Sequence, residues 1–456
     1  MQLRAFFLLT LTAATTAVAD PVDDAVLREM KRTHIPGVSV LVIQDGKIVK
    51  EKGYGLANVE HNVPVTANTV FQSGSVGKMF TAALVMLLAE EGKLKLDDPV
   101  SRYLANTPKA WEGITIRHLL THTSGLGDPY AKLEFNKHYS NEELIALEAT
   151  IPVLFAPGER WAYSNMGYHL LGFICNKAGG KFYGDQLRER IFAPLGMGTR
   201  VISESDIVPH RAAGYEWNKG VLKNQSWVSP NLNTTADGSL YLTARDLALW
   251  DAAMNGNKIL SEKIKLASWT PVKLNNGTTA NYGYGWQLDP VNGRRTLSHG
   301  GSWQGFKTLY SRFVDDKLTV IVLANSAAAQ PGKLANLVAS HYVPSLEIKP
   351  ATAIADTEPE VAGVVRDVVM HISRGALAQG ALSDKAAAVW TPERVRLIGE
   401  QMATLGTLRS VELLERKPEG EMRSYRYRFI YPDTALLVTA KLDKANKIDQ
   451  LGLRPE

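Results

Sequence analysis

Strand-like runs at the two ends of a long helical stretch constrain this chain more than any other feature. Val38 to Ile43 is a β-branched apolar run, and Asp45-Gly46 separates it from Lys47 to Lys52. Asp-Gly between two such runs is a strong hairpin signal. The next clear strands come only near the far end of a block of about 340 residues: Thr296 to Ser298, Gly305 to Phe313 and Leu318 to Asn325, with Asp315-Asp316 turning between the last two. A lone hairpin is barely stable in water, so both ends are expected to meet in one sheet. The middle is mostly helical. Lys78 to Glu91 is almost continuously apolar, stops at Gly92 and is too long for an ordinary strand, so it reads as a buried helix. Tyr168 to Lys177, closed by Gly179-Gly180, reads as another. The fold class expected is α+β, an α/β sandwich: an antiparallel sheet flanked by helices, with a mostly helical insertion.

Composition shifts between Pro344 and Pro359, where three prolines interrupt a stretch with no clear period. Residues 344–358 read as a linker, and 20–343 as the main domain. Beyond it, Val361, Val364, Val365, Val368, Val369 and Ile372 fall at helical spacing, and a second helix is expected from Pro392 to Leu405. Four strand-like runs follow, near 408–416, 422–430, 434–442 and 447–453. Helices followed by antiparallel strands predict a small α+β domain over 359–456, similar to the cone-shaped NTF2-like and cystatin-like domains.

The N-terminus reads as a secretory signal peptide over 1–19: Arg4, a short apolar run from Ala5 to about Leu11, and Ala17-Val18-Ala19 before Asp20. That run is shorter than the ~20 residues that span a bilayer. The expectation is an exported protein without a membrane span, periplasmic or secreted if the source is bacterial. A single cysteine rules out an internal disulfide or a cysteine cluster for a metal. A net charge of +5 without a dense basic run does not describe a nucleic-acid binder.

Ser75-Val76-Gly77-Lys78 stands where a loop enters the apolar helix. Ser and Lys three apart share a helical face. A serine hydroxyl needs a base, and an amine, or a base tuned by it, can serve. Tyr163-Ser164-Asn165 follows the turn Pro157-Gly158 and precedes a helix. A tyrosine beside an ammonium can act as a base, and Asn165 can donate to a substrate carbonyl. His299-Gly300-Gly301 leaves a strand, where glycines let a substrate backbone approach.

Ser-x-x-Lys, Tyr-x-Asn and Lys/His-x-Gly in this order resemble the serine β-lactamase and penicillin-binding protein superfamily, in its class C β-lactamase-like branch. Flanking segments share the likeness: Gly53 to Asn58, Leu119 to Leu126, Tyr282 to Trp286 and Ser298 to Gly301. The resemblance covers about residues 25–343 and implies the β-lactamase/transpeptidase-like fold. It implies acyl transfer without metal or cofactor, on a small-molecule or peptide substrate. Ser75 would be the acylated nucleophile. Lys78 would hold the proton network and lower the pKa of Tyr163, the general base. Asn165 would bind an acyl-side amide, with His299, Gly301 and Ser302 completing the substrate site. The backbone N–H groups of Ser75 and Ser302 would form the oxyanion hole.

His299 stands where class C lactamases carry Lys. A histidine near pKa 6.5 offers little permanent charge to a carboxylate, so the expected activity is that of an esterase, amidase or D-amino-acid peptidase. A β-lactamase or D,D-carboxypeptidase is the alternative, and a non-hydrolytic penicillin sensor or scaffold is one of a different class. Trp286, Trp303 and Tyr310 are candidates for the acyl pocket. His118 and His122 have metal-ligand spacing on an expected helix, but no third ligand is evident. Cys175 reads as a buried hydrophobe.

Overall fold

The computed structural model describes residues 20–201, 205–218, 220–348, 351–378, 380–432 and 434–456. The expected signal segment 1–19 lies outside them. The chain divides into two compact units at Ile348/Lys349.

In the first unit the two chain ends share one six-stranded antiparallel sheet. Its spatial order is Thr296–Trp303, Phe306–Phe313, Leu318–Ala324, Gly37–Gln44, Lys47–Asn58, Val63–Pro64. The closing pair runs from Val38 opposite Ala324 to Gln44 opposite Leu318. These two central strands are buried on both faces, which is why they read as unbroken apolar runs. The Asp45-Gly46 turn has φ of 48° and 76°. Two positive φ values fit the tight turn that matches strand twist.

Side-chain alternation assigns the two faces. Val38, Val40, Val42, Val320 and Val322 pack against the helices Pro21–Thr33 and Pro331–Tyr342. Leu41, Ile43, Ile321 and Leu323 face the larger core built by the helices Lys78–Glu90, Asn165–Gly179 and Ala244–Asn255. Lys78–Glu90 is buried almost all round, as its unbroken apolar sequence requires. The strand Thr296–Trp303 is longer than its expected three residues, because Gly300 and Gly301 remain paired, opposite Leu309 and Thr308.

The second unit, Lys349–Glu456, contains the helices Pro359–Ile372, Asp384–Val389 and Pro392–Met402 and a four-stranded antiparallel meander. The strands are Ser410–Glu419, Met422–Ile430, Ala435–Leu442 and Ile448–Pro455, paired in chain order. The valine stripe of Pro359–Ile372 packs on Tyr425, Tyr427, Phe429 and Val438. Asp384–Val389, too short to show a period, was not anticipated. Within the expected linker, Leu346 is fully buried in the first unit's core, and the Ile354 N–H bonds the Leu413 carbonyl of the second.

Candidate active site

Ser75 lies in a 3-10 turn, Gly74–Gly77, that runs straight into the helix Lys78–Glu90. The turn is pinned from two sides. Ser73 Oγ donates to the carbonyls of Gly74 at 2.9 Å and Gly238 at 3.1 Å. Ser73 N–H donates to Leu240 O at 2.8 Å. Gly74 has φ 49°, and a Cβ there would lie 2.4 Å from the Ser302 nitrogen. Glycine is therefore required both by the backbone conformation and by the close approach of the strand.

Lys78 is fully buried. Its Nζ lies 3.0 Å from Ser75 Oγ, 2.8 Å from Asn165 Oδ1 and 2.6 Å from the Asp237 carbonyl. Three acceptors match the three N–H bonds of an ammonium. The same nitrogen stands 5.0 Å from the Tyr163 ring centroid and 5.4 Å from that of Tyr168, so the expected Ser–Lys–Tyr group is assembled around one buried cation.

Asn165 opens the helix Asn165–Gly179, whose N-cap Ser164 accepts from Gly167 N–H. Its amide is oriented by Lys78 on the oxygen and by Asp128 Oδ2, 3.0 Å from Nδ2. One N–H remains for a substrate carbonyl. His122 lies beneath Tyr163, with ring centroids 4.2 Å apart. Its Nδ1 accepts from Ser164 N–H at 3.1 Å. Burial and the nearby Lys78 hold His122 far below the usual histidine pKa, so it is a neutral platform for the tyrosine. It stands beyond the helix Ile116–Leu120 in the left-handed region, φ 57°. His118 instead accepts the Thr115 N–H at 3.2 Å in a capping box, so the expected spacing on one helix does not bring the two together.

His299 departs from its expected role. It is 1% exposed. Its Nδ1 is 2.7 Å from the Gly300 carbonyl, and its Nε2 is 2.9 Å from Tyr282 Oη. A carbonyl only accepts, so Nδ1 carries the proton and Nε2 accepts from the phenol. Burial, with Lys78 adding to it, lowers its pKa to about 3. Both nitrogens are used inside the protein, and the ring is sealed as a neutral group. Gly301 is held close to the nucleophile loop. A Cβ there would meet the Ser73 carbonyl oxygen at 2.0 Å and Thr308 Oγ1 at 2.2 Å. This glycine admits the protein's own nucleophile loop.

Ser75, Tyr163, Asn165 and Ser302 do line one cavity, of about 270 Å³. Tyr130, Thr235, Asp237, Ser239 and Trp303 also line it. Trp303 Nε1 donates to Asn233 Oδ1 at 2.6 Å, and its ring lies 5.8 Å from that of Tyr130. Trp286 and Tyr310 belong to the core instead: both are buried there, and Tyr310 Oη donates to Asp251 at 2.7 Å. Cys175 is buried in the same core, where desolvation pushes its thiol up to about 12. A second cavity of about 240 Å³, bounded by Glu60, Ala213 and Phe306, contains none of the expected site residues.

Sequence reasoning missed Asp237, Tyr130 and the pair behind them, Glu148 and His169. Tyr130 Oη donates to Asp237 Oδ2 at 2.6 Å. His169 lies 3.2 Å from Asp237 Oδ1 and 2.6 Å from Glu148 Oε1. One signal was available: His169 interrupts an otherwise apolar helix, and a buried polar group needs partners. Nothing in the sequence identified Glu148 and Asp237 as those partners.

A family model described as Beta-lactamase matches residues 22–342. The chain is 34% identical over 328 residues to penicillin-binding protein 4* of Bacillus subtilis (strain 168), covering 67% of this chain and 71% of that protein. A D-amino acid amidase from Ochrobactrum anthropi SV3, solved with L-phenylalanine, superposes with a TM-score of 0.62 and 25% identity over 72% of this chain and 100% of its own. A penicillin-binding protein homologue from Pyrococcus abyssi, described as octameric, shares the fold over 95% of this chain and 98% of its own, with a TM-score of 0.66 and 24% identity. The chain therefore belongs to the Beta-lactamase family, within the serine β-lactamase and penicillin-binding protein superfamily, and is a serine hydrolase.

Proposed function

We propose that this enzyme hydrolyses esters, amides or D-amino-acid peptide bonds through an acyl-enzyme on Ser75, with no need for a carboxylate on the substrate. Ser75 Oγ attacks the carbonyl carbon while its proton passes to Tyr163. The N–H groups of Ser75 and Ser302 face the developing oxyanion. The leaving amine or alkoxide takes the proton as its bond to carbon breaks. Water then attacks the ester carbon as Tyr163 takes its proton, and Ser75 Oγ recovers that proton as its bond to carbon breaks and the acid leaves.

The observation that carries the substrate preference is the sealed, neutral His299. Among the described residues the cavity lining holds no cation for a β-lactam carboxylate, and Lys78 is committed to three acceptors. Asp237 in the wall and Asp128 behind Asn165 make the surroundings anionic. Neutral or amine-bearing acyl donors fit such a site, and a D-aminoacyl amide, the kind of substrate named for the amidase with this fold, is the reference compound.

The test is a substrate panel on the purified protein: p-nitrophenyl esters, D-aminoacyl amides, a D-Ala-D-Ala peptide and nitrocefin. Turnover of esters or D-aminoacyl amides at least 10-fold above nitrocefin is expected. Nitrocefin as the best substrate would contradict the reading. A stoichiometric burst without turnover on every compound would favour a sensor. Export is proposed on the N-terminal pattern alone. Asp20, the residue after the expected cleavage site, caps the first helix through Val22 N–H at 2.9 Å, so cleavage after Ala19 leaves that cap intact. N-terminal sequencing of the exported protein should begin at Asp20, and retention of Met1 would contradict it.

A further inference from the structure

We propose that Trp303 is a specificity-determining residue: its indole walls the Ser75 cavity off from an apolar cluster behind it, and so confines the enzyme to short acyl groups. This deepens the acyl-enzyme reading of Ser75 and rests on it.

The cavity offers an alkyl chain little to bury against. Among the described residues its lining holds no aliphatic side chain. Serine, threonine, asparagine and aspartate side chains, two glycines and three aromatic rings make it up. A chain gains by leaving water only where apolar neighbours receive it. The volume of about 270 Å³ also lies below the ~300–1,000 Å³ of ordinary small-molecule pockets.

The apolar side chains stand behind that lining. Leu133, Tyr139, Leu144, Val228 and Leu232 are buried together in a satellite cluster apart from the main core. Tyr130 and Trp303 alone among the described residues belong both to the cavity lining and to this cluster. Their rings lie 5.8 Å apart, and Phe135 closes a triangle at 5.6 Å from Tyr130 and 5.9 Å from Trp303. The three rings are the partition between polar cavity and apolar cluster.

Hydrogen bonds fix the partition in place. Trp303 ends its strand paired with Phe306. Its Nε1 donates at 2.6 Å to Oδ1 of Asn233, a buried residue in the turn Pro230–Thr234. Tyr130 Oη donates to Asp237 Oδ2 at 2.6 Å. Behind the rings, Ser229 N–H donates to the Phe135 carbonyl at 2.7 Å and ties the two backing segments together. Swinging the indole aside would leave a buried acceptor without its donor, so a long acyl chain does not push its way through. Tyr130 is bonded to the residue whose carbonyl holds Lys78. Trp303 has no such tie, which makes it the place to open the partition.

The experiment is kcat/KM on p-nitrophenyl acetate, butyrate and octanoate, with one leaving group throughout, for the full chain and its W303A and W303L variants. Wild type should favour butyrate over octanoate by at least about 10-fold. Each methylene moved from water into apolar surroundings is worth about 4-fold. Two of the four extra methylenes of octanoate reaching the cluster in W303A should therefore raise the octanoate-to-butyrate ratio by more than about 10-fold. W303L keeps an aliphatic contact with the cluster and should move the ratio the same way by less; it decides the matter if W303A does not fold. A wild type that prefers octanoate overturns the proposal. So does an unchanged ratio in the variants, including a uniform loss on all three esters of the kind that general damage would give. Failure of the acyl-enzyme reading is separate, because it would appear as a serine probe that does not label Ser75.

Discussion

Replacing Gly301 by alanine should damage catalysis out of proportion to its size. The new Cβ would stand 2.0 Å from the Ser73 carbonyl oxygen and 2.2 Å from Thr308 Oγ1. Non-bonded contacts to carbon are comfortable near ~3.5 Å, so the strand Thr296–Trp303 and the nucleophile loop must part by about 1 Å or more. The atoms in the way include main chain, which cannot rotate aside. Thr308 Oγ1 also donates to Ser73 O at 2.6 Å, and that bond is lost with the shift. Overpacking of this kind costs about 1–3 kcal/mol, a Tm drop of a few degrees for a unit of this size. The catalytic cost should be larger. The shift separates Ser302 from Ser75, and a displacement of ~1 Å costs about 100-fold, or roughly 2.7 kcal/mol of barrier. Gly300→Ala is the matched control, since its nearest neighbours would lie at 3.8 and 4.0 Å. The assay is kcat/KM on a p-nitrophenyl ester, with thermal unfolding of all three proteins. G301A active within about 3-fold of wild type, or G300A impaired as severely as G301A, would refute the reasoning.

Lys78→Ala and Tyr163→Phe should each reduce kcat nearly as far as the double variant, because members of one catalytic unit are not additive; losses that multiply would separate their roles. His299 should give the fold an acid-labile component. Its folded pKa of about 3 lies below the ordinary 6.5, so the unfolded state binds the extra proton, and stability should fall as pH drops from about 6.5 toward 3. His169 has the opposite sign: raised to about 10, its contribution is complete below 6.5 and is lost as pH rises through 10. Thermal unfolding from pH 4 to 10 reads both, and His299→Asn should flatten the acid side only; an equally steep acid side in the variant would contradict the assignment. A chain ending at Ile348 should remain soluble and hydrolyse the ester, because each unit closes its own apolar core. Aggregation of that chain would show that the division is not a folding boundary.

The sheet and the nucleophile turn were legible because each is written locally. Val38 to Ile43 and Leu318 to Ala324 are apolar runs rich in β-branched residues and broken only by Ser39 and Thr319, as burial on both faces requires. Ser75 and Lys78 share one helical turn, so sequence spacing already gives their contact. The Glu148–His169–Asp237 line is different, because its members lie 21 and 68 residues apart and meet only through packing. His299 was recognised by position, but its partners are Tyr282 and the Gly300 carbonyl. A histidine after a strand reads the same whether it faces a cleft or the core, and the sheet's pairing turned it inward against Tyr282. Trp286 and Tyr310 show the same ambiguity, since aromatic residues near a site motif can face the ligand or the core.

The central claim is that Ser75 is acylated. The direct measurement is mass spectrometry of the intact protein and its peptides after reaction with a fluorophosphonate and, separately, with penicillin. The account predicts one adduct per chain, fragmentation placing it on Ser75 rather than the nearby Ser73, and no adduct on Ser75→Ala. Ser73 is fully buried, and its hydroxyl is committed to the Gly74 and Gly238 carbonyls. An adduct on any other residue, or one that persists in Ser75→Ala, would contradict the account.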